Sequence, residues 1–223
     1  MNLDYKVVFS RRRTIGIIVD RDRRVTVRAP WQAQQEAISA VVERKRLWIW
    51  KKLRDDRKYS KVCGGKEFVA GEAFLFLGQN YSLELVDEPR GEVRLNGRRF
   101  ELPRADRQRG RDLFRSWFLR QANLHLVPRV TALARAMGIR FTRVRVRELK
   151  YSWGSCTPGG TLTFNWRIVQ APAVVMDYII VHELAHVLEQ NHSREFWNIV
   201  AVHAPAWTRG RQWLRDHGSR LEW

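Results

Sequence analysis

The chain has 223 residues, of which 44% are hydrophobic and ten are tryptophan, and it carries a formal net charge of +18. That apolar content excludes a disordered chain, and the length allows one large domain or two small ones. No apolar stretch approaches the roughly 20 residues that span a bilayer, residues 1–6 hold no signal-like apolar region, and two distant cysteines, Cys63 and Cys156, give no disulfide framework. A cytoplasmic location is therefore expected, with no membrane partner.

In chain order, residues 5–10, 14–20 and 24–28 read as short strands separated by charged turns such as Asp20-Arg21-Asp22. Residues 34–58 have helical spacing, with Ile38, Val41, Val42, Leu47, Ile49 and Trp50 among the apolar positions. After Gly64-Gly65, residues 73–77, 81–86, 92–95 and 99–102 read as strands, with Asn96-Gly97 a type I′ hairpin turn. Residues 105–137 form a long helical region whose apolar face includes Leu113, Phe114, Trp117, Phe118, Leu124, Val130, Leu133 and Met137. Pro128 is predicted to kink or divide it, and Gly138 to end it. Residues 141–149 alternate Val144 and Val146 with arginines, as a half-exposed strand does. Residues 161–166 form a strand after the turn Pro158-Gly159-Gly160, pairing with a strand near Trp153. A helix over 174–188, opened by Pro172 at its first turn, and a last helix over 206–217 complete the chain. The predicted division is an N-terminal β-rich region with one helix, 1–103, and a C-terminal domain, 104–223.

The helix over 174–188 is apolar around most of its circumference and is interrupted by Asp177, His182, Glu183 and His186. Such a helix is normally buried, and two histidines with a glutamate are costly there unless something bonds them. His182-Glu183-Leu184-Ala185-His186 is an HExxH pattern. Residues four apart on an α-helix lie about 40° apart around the axis, so both imidazoles project from one face. They can hold one Zn²⁺ per chain, with Glu183 beside it as general base; an ion-pair network is the competing way to satisfy them. His192, six positions after His186, is the third candidate ligand. Metzincins share that spacing but place a glycine midway, where this chain has Glu189, so their pattern is not met. Asn191 is the nearest residue that tolerates a left-handed backbone, and it is predicted to end the helix and turn His192 back. Alternatively His192 only starts the next helix, capped by Ser193, and Glu189 or Glu195 is the third ligand.

The run from Asp177-Tyr178 through His182-Glu183-Leu184-Ala185-His186, followed by Asn191-His192-Ser193 and Phe196-Trp197, closely resembles the YgjP-like metallopeptidase domain, a family related to SprT-like and other zincin peptidases. Trp153-Gly154-Ser155-Cys156-Thr157, Leu162 to Arg167 and Ala171-Pro172 look like its second signature. Arg11 to Ile15 and Val25 to Pro30 fit its opening strands, and Phe68, Gly71-Glu72, Leu77-Gly78 and Tyr81 fit its middle, so nearly the whole chain is covered. Many relatives carry an arginine where Ser152 stands, which leaves the role of that charge open to Arg147, Lys150 or Arg167.

The resemblance implies an α+β fold, in which the β-rich region precedes a zincin-like domain built from the HExxH helix and a small antiparallel sheet. It implies a zinc-dependent hydrolase, a metallopeptidase, with His182, His186 and His192 as ligands and Glu183 as base for attack by zinc-bound water. In a zincin, an edge strand beside the catalytic helix holds an extended peptide by strand addition. The hairpin 151–166 is the candidate. Trp153, Gly154 and Ser155, with Arg167 and Tyr178, are the candidate substrate-binding residues, Gly154 allowing close backbone approach. Tyr178 either stands behind a ligand or packs. Asp177 either orients a ligand imidazole or favours the helix N-terminus. Cys156 reads as a small buried residue, because three histidines already complete a zinc site with one open position. His125 and His203 are not ligands.

The charge has two readings. Arginine on ordinary solvated faces is one; a nucleic acid or nucleotide partner bound through counterion release is the other. Clusters at Arg11-Arg12-Arg13, residues 21–28, Arg44-Lys45-Arg46, Lys51-Lys52 and residues 104–111 favour the second, although they are spread along the chain and accompany no DNA-reading motif. Three functions follow: peptide-bond hydrolysis, nucleotide phosphoanhydride hydrolysis at the same metal, and a SprT-like protease or binding module associated with nucleic acid. The absence of a P-loop and of a Mg²⁺ carboxylate cluster weighs against the second. The substrate and the oligomeric state are not written in the sequence.

Overall fold

A computed structural model describes residues 3–19, 24–54, 65–89, 91–150, 152–221 and 223. It divides into two compact units, Met1–Cys63 and Gly64–Trp223. The Asp20-Arg21-Asp22 turn, Cys63 and residues 55–58 of the first predicted helix lie outside the described residues.

In the first unit, β1 (Lys6–Ser10), β2 (Gly16–Val19) and β3 (Val25–Pro30) form a sheet of order β1-β3-β2, with β1 parallel and β2 antiparallel to the central β3. Strand alternation points Val25, Val27 and Ala29 inward, against Ile38, Val42 and Ile49. Those three come from two helices, α1 (Gln35–Arg44) and α2 (Arg46–Leu53), where one was predicted. The helical path breaks at Lys45, whose ψ of 6° departs from helical geometry.

The second unit begins with β4 (Ala73–Phe76), β5 (Gln79–Val86), β6 (Arg94–Asn96) and β7 (Arg99–Pro103), in the order β4-β5-β7-β6. Asn96 pairs with Arg99 across the predicted hairpin turn, where Gly97 has φ +55°. α3 (Gly110–Ala136) buries Phe114, Trp117, Phe118, Ala122, Leu126, Val130 and Ala134 along one stripe. Phe74 stacks on Phe114 at 4.2 Å and Phe100 meets it at 5.2 Å, so this sheet and α3 share one core. The compact units accordingly part at 63/64, and the predicted boundary at 103/104 falls inside the second.

α3 also runs unbroken through Pro128. The carbonyl that proline leaves without its helical donor belongs to Leu124, whose side chain is 66% exposed, so the missing bond falls on the solvent side. Gly138, at φ +66°, follows the helix end as expected.

The third sheet lies beside the histidine helix. β8 (Arg143–Arg147), β9 (Gly154–Cys156) and β10 (Thr161–Asn165) are ordered β8-β10-β9. The predicted small antiparallel sheet is in fact mixed: β9 is antiparallel to β10, but β8 is parallel to it. The loop after β8 carries the chain to the far edge of β10, so β10 returns in the direction of β8. β10 is buried on both faces and β9 is left as an edge. Buried Asn165 fixes the connecting loop: its Nδ2 donates to the Leu149 carbonyl at 2.9 Å, and its backbone N–H donates to the Trp153 carbonyl at 2.8 Å. Three helices follow: α4 (Ala173–Leu188), α5 (Arg194–His203) and α6 (Trp207–His217). Among the described residues no helix is long and apolar enough to cross a membrane.

Candidate metal and catalytic site

α4 is buried over Val175, Met176 and most positions from Tyr178 to Ala185, so its histidines and glutamate sit in the low-dielectric setting that their sequence context suggested. His182, His186 and His192 each offer a ligand atom within 4.8 Å of the others. The Nε2 atoms of His182 and His192 lie 3.1 Å apart. Imidazole nitrogens on a tetrahedral zinc, each about 2.0–2.1 Å from the ion, lie about 3.3 Å from one another. Two neutral imidazoles bring lone pairs face to face at such a distance, unless a proton or cation sits between them. The donor set therefore fits a metal ion.

The second ring nitrogen of His186 agrees, while His182 Nδ1 is buried with no hydrogen-bond partner among the described residues. His186 Nδ1 donates to the Glu189 carbonyl at 3.0 Å, which leaves its Nε2 lone pair for the cluster. Burial, then the neighbouring His186, His192 and Arg211, push the His182 pKa down to about 3. Burial, with His186 and Arg211, likewise lowers His192. Neutral imidazole is the ligating form. Phe196 packs against all three rings, with centroids 4.5–4.9 Å away, and fixes their positions.

His192 reaches the cluster by a route other than the predicted one. Among the described residues only Phe68 and Leu77 have positive φ without being glycine, so Asn191 is not left-handed. The chain leaves α4 through an extended Glu189, at φ −132° and ψ 109°, a conformation that needs no glycine. The Glu189 carboxylate accepts from the Asn191 N–H at 3.0 Å and bridges the turn. Ser193 then caps α5, its hydroxyl accepting from the Phe196 N–H at 3.3 Å. His192 thus both precedes a capped helix and joins the cluster. Neither Glu189 nor Glu195 belongs to the histidine group.

Glu183 is 6% exposed, and burial pushes its carboxyl up to about 8. The backbone of β9 rests against it. A Cβ on Gly154 would lie 2.6 Å from both Cγ and Oε1 of Glu183. Only glycine fits there without moving the carboxylate. Gly154→Ala is expected to lower turnover by about 10²-fold through displacement of Glu183 and to cost about 1–3 kcal/mol of stability from overpacking; steady-state kinetics beside thermal unfolding measure both.

A cleft of ≈ 250 Å³ opens at this point, with Trp153 and Gly154 on one side, Tyr178, His182 and Glu183 along α4, and Leu214 from α6. Ser152 and Ile179 also line it. Of the predicted substrate residues, Trp153, Gly154 and Tyr178 are here. Ser155 is exposed on β9 and pairs with Thr163. Arg167 is not in the cleft: its guanidinium bonds Glu148 at 2.8 Å and covers the Trp166 ring at 4.4 Å, so it is committed to the fold. Asp177 does not orient a ligand imidazole. Both of its carboxylate oxygens accept from Arg129 of α3, at 2.6 Å each, and tie α4 to α3. Cys156 is half-buried and outside the ligand group; its thiol donates to the Thr157 carbonyl at 3.3 Å, and burial followed by Glu183 raises its pKa.

Sequence reasoning missed the wall contributed by α6. Gly210 lets α6 approach α4, since a Cβ there would lie 2.9 Å from Cβ of Tyr178. Leu214 lines the cleft, and Trp207 and Arg211 precede it on the same helical stripe, Trp207 lying 6.5 Å from the Tyr178 ring. Arg211 lies over the Trp197 ring at 5.3 Å and the Trp207 ring at 6.0 Å, and those rings lie 4.8 Å apart. The stripe is readable in the sequence as an amphipathic pattern; its contact with α4 is not.

Among curated proteins no match is found. Two solved structures are similar. The metallopeptidase zymogen of Pyrococcus abyssi abylysin is 28% identical over 37% of this chain and 82% of its own, with a TM-score of 0.34. The metallopeptidase zymogen of Methanocaldococcus jannaschii jannalysin is 24% identical over 33% of this chain and 75% of its own, with a TM-score of 0.31. The family model of the YgjP-like metallopeptidase domain matches residues 13–217, a span that enters both compact units and contains Gly154, Glu183 and the three histidines. The chain belongs to the YgjP-like metallopeptidase family.

Proposed function

We propose that this protein is a zinc-dependent peptidase whose metal is held by His182, His186 and His192 and whose general base is Glu183. The observation that carries the reading is the convergence of three imidazole nitrogens within 4.8 Å beside a buried carboxyl. Zinc held by these histidines would supply a Lewis acid for the scissile carbonyl and for activation of the attacking water.

The chain's own residues do the rest. The free edge of β9 offers backbone N–H and C=O groups to an extended peptide, next to Glu183. Glu183 takes a proton from the attacking water and delivers it to the leaving amine. Burial disfavours its charged form and pushes its carboxyl up to about 8, and a cation held by the adjacent histidines would favour the charged form again. Tyr178 keeps its hydroxyl proton, because burial raises its pKa, and remains a hydrogen-bond donor in the cleft. Trp153, Ile179 and Leu214 give the cleft apolar walls that limit water entry.

Zinc-replete protein offered peptides and the four nucleoside triphosphates in parallel tests the reading. Cleavage of peptide bonds with the triphosphates intact is the expected result. Triphosphate hydrolysis without peptide cleavage would transfer the same residues to phosphoanhydride chemistry.

A further inference from the structure

Among the described residues Arg211 is a cation without a carboxylate partner. Ten other Lys or Arg side chains form ion pairs with carboxylates among the described residues, but Arg211 forms none. Its side chain is exposed, and its guanidinium lies 5.3 Å from the Trp197 ring centroid and 6.0 Å from that of Trp207, within the range of cation–π attraction.

The aromatic shelf belongs to the site. Trp197 lies 5.9 Å from the rings of both His182 and His192, and Trp207 lies 6.5 Å from Tyr178. Leu214, on the same face of α6 one turn beyond Arg211, lines the cleft. The residues that line the cleft are apolar or neutral apart from Glu183, and Arg211 stands just outside that lining, on the α6 stripe that supplies Leu214.

We propose that Arg211 is the specificity-determining residue of this site and binds a carboxylate of the peptide substrate next to the scissile bond. The inference rests on the peptidase reading. A planar guanidinium matches a carboxylate through two parallel N–H···O bonds. Such a carboxylate comes either from the peptide's own C-terminus or from an Asp or Glu side chain.

Binding is separated from cleavage by using zinc-loaded Glu183→Gln protein and short acetylated peptides in matched pairs: free C-terminus against C-terminal amide, and internal Glu against internal Gln. Calorimetry or tryptophan fluorescence gives each affinity. One member of one pair, the carboxylate form, is expected to bind about tenfold more tightly than its amide. The pair that shows the difference identifies the source of the carboxylate. Adding Arg211→Gln is expected to abolish that difference and leave the amide peptide's affinity unchanged, which also shows that the cleft is intact. Arg211→Lys is expected to retain part of the preference, since charge survives but bidentate geometry does not. Equal affinity within both pairs, or a preference that survives Arg211→Gln, overturns the proposal. Failure of the wild-type protein to cleave any peptide overturns the peptidase reading instead, whatever the binding assay gives.

Discussion

Glu183→Gln is expected to lower peptide-bond hydrolysis by about 10²–10⁴-fold, the range contributed by a positioned general base, with the zinc content unchanged. The substitution preserves shape. Glutamine fills the volume of Glu183 under the β9 backbone, where even the methyl of an alanine at Gly154 finds no room. It removes only the ability to accept and return a proton. Because the residue is 6% exposed, solvent cannot readily take over that role. The expected pattern is a fall in kcat and kcat/KM together, the signature of an interaction made only in the transition state. A fall in activity accompanied by metal loss would instead make Glu183 part of the metal site's architecture.

His192→Ala is expected to release zinc and with it all hydrolysis. Zinc affinity should fall by more than the about 10–100-fold that follows loss of a partner one step removed from the metal. The companion substitution Glu189→Ala separates geometry from chemistry. Glu189 supports the site through its backbone carbonyl, which accepts from His186 Nδ1 at 3.0 Å, while its carboxylate only bridges the turn to Asn191. Alanine keeps that carbonyl, so Glu189→Ala is expected to retain stoichiometric zinc. Competition with a chromophoric chelator measures both affinities. Retained zinc in His192→Ala with loss in Glu189→Ala would make Glu189 the third ligand.

The parts of this site that are legible in the sequence are those fixed by local periodicity and residue type. Helical spacing alone aligns His182 with His186, and a glycine at position 154 signals close backbone approach because it has no side chain to prevent one. The return of His192 is legible as an outcome but not as a route, because an extended Glu189 serves as well as the expected left-handed Asn191. Contacts set by tertiary packing are not legible. Asp177 meets Arg129, 48 positions earlier in the chain, and no local pattern relates them. Leu214 reaches the cleft because Gly210 admits α6 against Tyr178. Pro128 departs from expectation for a related reason: a local rule about helices is relaxed where the unserved carbonyl faces solvent. The parallel pairing of β10 with β8 escapes the pattern as well, because the crossing of the loop after β8 is a property of topology.

Zinc-edge X-ray absorption on the purified protein tests the three-histidine centre most directly. One zinc per chain with three imidazole nitrogens at about 2.0–2.1 Å is the expected result. A sulfur neighbour at about 2.3 Å, which would place Cys156 on the metal, or protein that takes up no zinc, would contradict it.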